Sequence, residues 1–364
     1  MNASIQRIVF AGGGTGGTIG PGLAIAERLA ELAPEVESMF LCSDRAIDQL
    51  MLEEAGVSHV ALPARPFSAR PIPLLRFLSA WRSTRREARP LVMASQRLVS
   101  LGGFVAPPVA REARAQGVPI TLLNLDARIG KATRHIIPIA DDIVTAVPAE
   151  LPGNPEPIGV PLRKAVFSDG DQAAARLRLG LDPNRSTLLI TGASQGAASL
   201  NRFMTLFAST HAQQLKGWQV LHLAGRDGSA DEVRQAYQAE GISSVVMTFL
   251  DAMADAWGAA DLVISRGGAS SIAEIEANGV PAIIAPYPYH KDQHQAANAR
   301  GLVAAKGAVL VDDKVDPREN LETIGRALQP LLGDESQRLR MAESLRRDRR
   351  EDAAELIARR LLGI

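Results

Sequence analysis

Short apolar runs recur along this chain, each closed by glycine, proline or a polar turn. Each is followed by a longer stretch whose apolar positions fall three and four apart. The short runs have the pattern of strands buried on both faces, and the longer stretches that of helices with one face on a core. In the first half the strand runs are Arg7–Ala11, Met39–Ser43, Val57–Leu62, Leu98–Leu101, Ile120–Asn124 and Ile143–Val147. The second half repeats the scheme at Thr187–Thr191, Trp218–Ala224, Val245–Leu250, Leu262–Ser265, Ala282–Ala285 and Val309–Val311. Alternating strands and helices predict a parallel sheet covered by helices on both faces. Between the halves, Pro148, Pro152, Pro155, Pro157 and Pro161 fall close together, which prevents regular structure and marks an interdomain linker. The expected fold class is therefore α/β: two doubly wound Rossmann-like domains with a cleft between them.

Composition narrows the function classes. The 364 residues are 46% hydrophobic, enough for two cores, and 40 basic residues balance 40 acidic ones, so no global charge suggests nucleic acid. The single cysteine, Cys42, excludes an intramolecular disulfide and a multi-cysteine zinc site, and its apolar strand context makes it a core residue. No window approaches the ~20 apolar residues of a membrane span. The apolar run after Arg7 breaks into glycines and lacks a signal-peptide pattern, so the chain reads as cytoplasmic, or peripheral at a membrane. No Asp-x-Asp pair with metal spacing stands out, so neither a metal nor another cofactor is expected.

Three glycine-rich turns carry the candidate chemistry. The first, Gly12 to Gly17, precedes a helix expected to start near Pro21, and Gly12, Gly14 and Gly17 fit the dinucleotide fingerprint G-x-G-x-x-G. Asp44, somewhat late in sequence, would be its ribose acid, which keeps a nicotinamide-dependent dehydrogenase open. The second, Gly192-x-Ser194-x-Gly196, fits the nucleophile elbow of α/β-hydrolases, with Asp251 or Asp261 and His290 or His294 as partners. The third lies within Asp261–Arg300: a strand, the turn Arg266–Ala269, a helix over Ser270–Asn278 stopped by Gly279, and a second strand. Free N–H groups at such a helix start face an anion. Glu274, one turn on, shares a face with Ser270 and Ser271 and can accept two hydrogen bonds from a ribose diol.

The run SRGGASSIAEIEANGVPAIIAPYP, followed by HKDQHQAANA, resembles the nucleotide-sugar signature of the family 28 glycosyltransferases. GGTGGTIGPG at Gly13–Gly22 and the turn Gly192–Ala197 resemble two more of that family's motifs. The resemblance implies a GT-B fold, with an acceptor domain over 1–155 and a UDP-sugar domain over 156–340. Residues 341–364 would end in a helix, Asp352–Leu362, that packs back on the first domain. It implies inverting transfer of N-acetylglucosamine from UDP-N-acetylglucosamine to the undecaprenyl-linked muramyl-pentapeptide of peptidoglycan synthesis. By matching, Ala269, Ser270 and Ser271 hold the diphosphate with Ser194 and Arg163, Glu274 the ribose, and Gln295 the sugar, with His294 beside it. Thr15, Gly16, Gly17 and Leu250 complete the substrate-binding set. Two positions depart from the family pattern. Thr18 stands where the family has histidine, and Leu123–Asp126 reads LNLD where the family has His-Glu-Gln-Asn. Asp126 is then the candidate general base, beside Thr18 as the other catalytic candidate; its alternative role is an N-cap for a helix over Ala127–His135. A different lipid or small-molecule acceptor is the alternative reading.

The segment from Arg65 to Pro90 breaks the α/β rhythm. Seven arginines (65, 70, 76, 82, 85, 86, 89) face one acid, Glu87, and between them lie Phe67, Ile72, Leu74, Leu75, Phe77, Leu78 and Trp81. Basic residues interleaved with aromatics and leucines predict an element at an anionic membrane surface. A helix packed on the sheet with a solvated basic face has the same pattern.

Overall fold

The structure, a computed structural model, describes residues 6–13, 16–68, 70–192, 196–225, 229–289, 293–347 and 352–364. Thr15, Ser194 and His290 lie outside the described residues. Among the described residues, twelve strands form two six-stranded parallel sheets of the same topology. The chain divides into two compact units, one of 1–163 with 350–364 and one of 164–349. The first division falls at the end of the proline-rich segment, not at 155, and the second at 349, not 340.

In the first unit the strands are β1 (Arg7–Ala11), β2 (Glu37–Ser43), β3 (Ser58–Leu62), β4 (Arg97–Ser100), β5 (Ile120–Asn124) and β6 (Asp142–Thr145). Their order is β3-β2-β1-β4-β5-β6. Helices α1 (Gly16–Leu32), α2 (Ala46–Glu54), α3 (Pro71–Met93), α4 (Ala106–Ala115) and α5 (Lys131–Ile136) connect them. Alternate residues of each strand enter opposite cores: Ile8 and Phe10 one face, Val9 and Ala11 the other. Helix α1 begins five residues before the expected start, with Pro21 inside it. Proline has no N–H, so at this sixth helical position it cannot give the usual bond to the carbonyl four residues earlier, while its fixed φ near −65° still fits the helix. Close packing explains the glycines here: a Cβ at Gly22 would lie 2.5 Å from Leu101 Cδ1 and 2.9 Å from Phe40. Cys42 is fully buried, and burial pushes its thiol up to about 12, so it is inert core.

The second unit holds α6 (Gln172–Arg178), β7 (Ser186–Thr191), α7 (Ala198–His211), β8 (Trp218–Leu223), α8 (Ala230–Ala239), β9 (Ser244–Met247), α9 (Met253–Ala259) and β10 (Leu262–Ser265). It continues with α10 (Ala269–Asn278), β11 (Ala282–Ile284), α11 (His294–Asn298), α12 (Arg300–Ala304), β12 (Ala308–Leu310), α13 (Pro317–Asn320), α14 (Arg326–Gly333) and α15 (Glu335–Arg347). The sheet order is β12-β11-β10-β7-β8-β9. Strand β9 ends at Met247, three residues short of the expected Leu250.

The last helix, α16 (Ala353–Leu362), belongs to the first unit. Asp352 caps it by accepting from the N–H groups of Ala354 and Glu355. The same carboxylate takes a hydrogen bond from Arg28 Nε on α1 at 2.7 Å, and Arg360 pairs with Asp142. Ile357 and Leu361 are buried in the core that holds Ile8 and Phe10.

Candidate functional site

In an open α/β sheet, ligands bind beyond the carboxyl ends of the strands, where the strand order reverses. In the second unit that point lies between β7 and β10. The turn after β10 feeds α10, whose N-cap is Gly268 in an extended conformation with no side-chain cap. The first N–H groups of α10 therefore have no intrahelical acceptor and no capping side chain. Gly279, at φ 65°, ends the helix as the sequence predicts. Gly267 is irreplaceable on steric grounds, since a Cβ there would lie 2.3 Å from the Gln295 carbonyl oxygen.

Arg266, one residue earlier, points inward. It is 5% exposed. Its Nη1 donates to the Ala285 carbonyl at 2.8 Å and pairs with Asp313 at 2.7 Å, and its Nη2 donates to Ser199 Oγ at 2.7 Å. Asp313 also accepts from Asn320 Nδ2 and the Val315 N–H, each at 2.8 Å. Burial works against this carboxylate. The bonds from Ser199, Asn320 and Val315, with the Arg266 charge, outweigh burial and hold its pKa below the usual carboxylate range. Arg266 thus braces the turn from beneath. Sequence reading missed this pair because nothing local links Arg266 to a carboxylate so far downstream.

Glu274 is half-buried on α10, and its Oε2 accepts from Trp257 Nε1 on α9 at 2.9 Å. Burial pushes its carboxyl up to about 7, and the indole hydrogen bond draws it partly back. Gln295, on α11, accepts the Tyr287 N–H through Oε1 at 2.8 Å. Asn298, one turn on, donates to the Gly267 carbonyl at 3.2 Å. The glycine turn, Glu274's helix and the His294–Asn298 helix are therefore tied together at one edge of the sheet. Ala269, Ser270 and Ser271 form the first turn of α10, and His294 opens α11. Leu250 lies past β9, half-buried with Val245 and Met253 against the core that holds Leu223 and Trp257.

The neighbouring turn after β7 is as tight: a Cβ at Gly192 would lie 2.2 Å from the Gly196 carbonyl carbon. Gly196, at φ +74°, backs onto Ala224 and Gly225. Asn201 donates to the Ala224 carbonyl at 2.8 Å, and His222, fully buried, bridges Asn201 and the Tyr237 hydroxyl. Of the two acids the hydrolase alternative offers, Asp261 is engaged elsewhere. That residue precedes β10 and accepts from Arg176 and the Thr187 N–H, each at 2.7 Å, at the sheet's amino edge.

In the first unit the order reverses between β1 and β4. Gly13 and Gly103 meet there, and a Cβ on Gly103 would lie 2.2 Å from the Gly13 oxygen. Gly16, Gly17 and Thr18 form the first turn of α1. Asp126 follows β5 on the same carboxyl edge. Helix α5 begins at Lys131 with Gly130 as its N-cap, so Asp126 does not cap a helix over Ala127–His135. Asn124, almost wholly buried, donates through Nδ2 to the Asp126 carbonyl at 2.8 Å and to Thr145 Oγ1 at 3.1 Å, which fixes the loop. Arg163 is paired with Glu27 on α1 at 2.7 Å, within the first unit. Asp44, the acid of the dinucleotide reading, is engaged by Arg65 at 2.7 Å.

The profile described as glycosyltransferase family 28 N-terminal domain matches residues 8–145, and the family 28 C-terminal domain matches residues 187–357. A relative from Nocardioides sp., named UDP-N-acetylglucosamine--N-acetylmuramyl-(pentapeptide) pyrophosphoryl-undecaprenol N-acetylglucosamine transferase, is 36% identical over 85% of this chain and 85% of its own. A relative of the same name from Streptomyces coelicolor is 33% identical over 97% of this chain and 96% of its own. Among solved structures, Acinetobacter baumannii MurG is similar with a TM-score of 0.74 at 21% identity, over 98% of this chain and 99% of that one.

Proposed function

The chain belongs to glycosyltransferase family 28, and from that premise we propose that it transfers N-acetylglucosamine from UDP-N-acetylglucosamine to the undecaprenyl-diphosphate-linked muramyl-pentapeptide. The observation that carries this reading is end-to-end similarity to relatives named for that reaction, at 33% identity over 97% of the chain. The fold is GT-B, two doubly wound parallel sheets, as in the solved relative.

The chemistry divides between the units. The acceptor hydroxyl attacks C1 of the sugar, the bond from C1 to the diphosphate oxygen breaks, and the configuration inverts. Charge grows on the departing diphosphate, and the uncapped N–H groups of Ala269–Ser271 offer fixed dipoles for it, joined by Ser194. Glu274 takes the ribose diol and Gln295 the sugar, with His294 beside it. Thr15, Gly16, Gly17 and Leu250 complete the binding set. Arg163, whose Nε is held by Glu27, offers its planar fork to the diphosphate. Asp126 accepts the acceptor's proton, with Thr18 on the same edge.

The deciding experiment supplies radiolabelled UDP-N-acetylglucosamine with synthetic lipid-linked muramyl-pentapeptide. Labelled disaccharide lipid is expected. Saturable UDP-sugar binding without turnover would leave a family 28 transferase with another acceptor.

Membrane docking through α3 belongs to the same reading. Among the described residues no helix is long and apolar enough to cross a membrane. The C-terminal part of α3 packs through Ala80, Thr84, Ala88 and Val92, and Arg85 is engaged by Glu112 at 2.9 Å. Its N-terminal part is exposed: Ile72 and Leu75, with Phe67 just before the helix, are each about two-thirds exposed, and Phe77 lies edge-on to Phe67. Arg76, Arg82 and Arg86 are exposed beside them. Aliphatic and aromatic side chains flanked by arginines fit the cytoplasmic face of the inner membrane, where anionic lipids gather. Vesicle binding is expected to rise with anionic lipid and fall with salt. Replacing Arg76, Arg82 and Arg86 with glutamate should release the protein; binding equal to the parent would leave α3 as packed structure.

A further inference from the structure

The indole of Trp257 is 2% exposed, and its one polar atom donates to Glu274 Oε2 at 2.9 Å. Two readings of that bond are available. In one, Glu274 merely satisfies a buried N–H, which a tryptophan inside a core requires. A neutral carbonyl would do that as well. A carboxylate in the same half-buried place loses hydration that the indole only partly replaces, so it is a costly partner for an uncharged donor. In the other reading the carboxylate is the functional group and the indole serves it. A glutamate side chain turns about three bonds, and a donor fixed in a core at one oxygen stops that rotation. The remaining acceptor positions then face one way.

We propose that Trp257 is a positioning residue for the donor nucleotide: its N–H holds the Glu274 carboxylate in the orientation that receives the two hydroxyls of the ribose. The inference rests on the ribose role given to Glu274 above. The surroundings are consistent with it. Helices α9 and α10 pack against each other, and Asn278 on α10 donates to the Glu274 carbonyl at 2.9 Å and to the Val166 carbonyl at 3.0 Å, so the helix is anchored on both sides. Burial brings the Glu274 carboxyl to about 7, where the indole bond favours the ionised form. The charged groups on neighbouring elements are Asp255 on α9, held by Arg178 at 2.7 Å, Glu276 on α10, His294 on α11, and Arg346 on α15 against Gly279. None of them changes in the variants below.

The test compares the parent, Trp257→Phe and Glu274→Ala by calorimetric titration with UDP and UDP-N-acetylglucosamine from pH 6 to 9. Phenylalanine keeps an apolar ring and removes the donor. In Trp257→Phe, nucleotide affinity is expected to fall on the order of tenfold at neutral pH, as for loss of one hydrogen bond to a charged group. The pH at which affinity is half-lost should move upward, because the bond that favours ionisation is gone. Turnover at saturating donor should change little. Where phenylalanine disturbs packing, 3-benzothienylalanine at position 257 replaces only the N–H and should give the same shift. Glu274→Ala should weaken binding and flatten its pH dependence. Unchanged binding in Glu274→Ala overturns the ribose role and the inference with it. Weakened binding in Glu274→Ala, with both position-257 variants matching the parent in affinity and pH profile, overturns the positioning role alone.

Discussion

Asp313→Ala is expected to destabilise the second unit by about 3–5 kcal/mol, the usual cost of leaving one member of a buried ion pair uncompensated. The side chain of Asp313 is fully buried and that of Arg266 is 6% exposed, so water cannot take the place of the lost carboxylate. Ser199, Asn320 and the Val315 N–H would lose their acceptor at the same time. For a unit of this size the loss corresponds to a fall in Tm on the order of 10 °C, measurable by calorimetry. Nucleotide affinity should fall with it, because Arg266 braces the turn that starts α10. Asp313→Asn keeps an acceptor and should lie between alanine and the parent. The pH dependence has a definite sign. The folded-state pKa of Asp313 lies below the ordinary aspartate value of 3.8, so its contribution is present above that value and lost as pH falls through the lower, folded one. The parent should therefore lose stability more steeply in acid than the alanine variant does. A variant that melts with the parent would mean that Arg266 is solvated in solution and does not brace the turn.

Legibility from sequence followed the range of the interactions involved. Every strand was readable because a strand buried on both faces announces itself as a local apolar run; Ile120–Asn124 and Leu262–Ser265 match to the residue. The end of α10 was readable for the same reason, since Gly279 supplies a left-handed conformation within the motif itself. The start of α1 was not. Pro21 reads as a first-turn residue, but the helix begins at Gly16, where two glycines carry no propensity signal. Contacts between distant residues were also invisible. Nothing in the motif shows that Arg266 pairs with Asp313, or that Arg163, matched to the diphosphate, pairs with Glu27. Trp257 carries no local signal of its role; only the fold brings its N–H to Glu274. Asp48 had no signal either. It is fully buried at the start of α2, bonded to Ser43 Oγ, and a Cβ on Gly13 would lie 2.5 Å from its Oδ2.

The proposed catalytic base, Asp126, lies where the sequence departs most from the family pattern, and there the expected effect is largest. Asp126→Asn should lower turnover of the lipid acceptor by about 10²–10⁴-fold, the range for removing a general base. It should leave the KM for UDP-N-acetylglucosamine nearly unchanged, because Glu274, Gln295 and the start of α10, which are given the donor, lie in the other unit. Asparagine preserves the size of the side chain. The loop itself is held through the Asp126 backbone carbonyl by Asn124, which the substitution does not touch. A loss of rate therefore reports the carboxylate. Thr18→Ala should cost far less, since a hydroxyl does not accept a proton near neutral pH unless another base takes its own. The helix-cap alternative for Asp126 would predict a fall in Tm with normal turnover, but the nearest helix starts at Lys131 behind Gly130. Asp126→Asn with parental turnover would move the base to another residue of the same sheet edge. Loss of turnover in both Asp126→Asn and Thr18→Ala would point to a relay, with the threonine hydroxyl passing the acceptor's proton to the carboxylate.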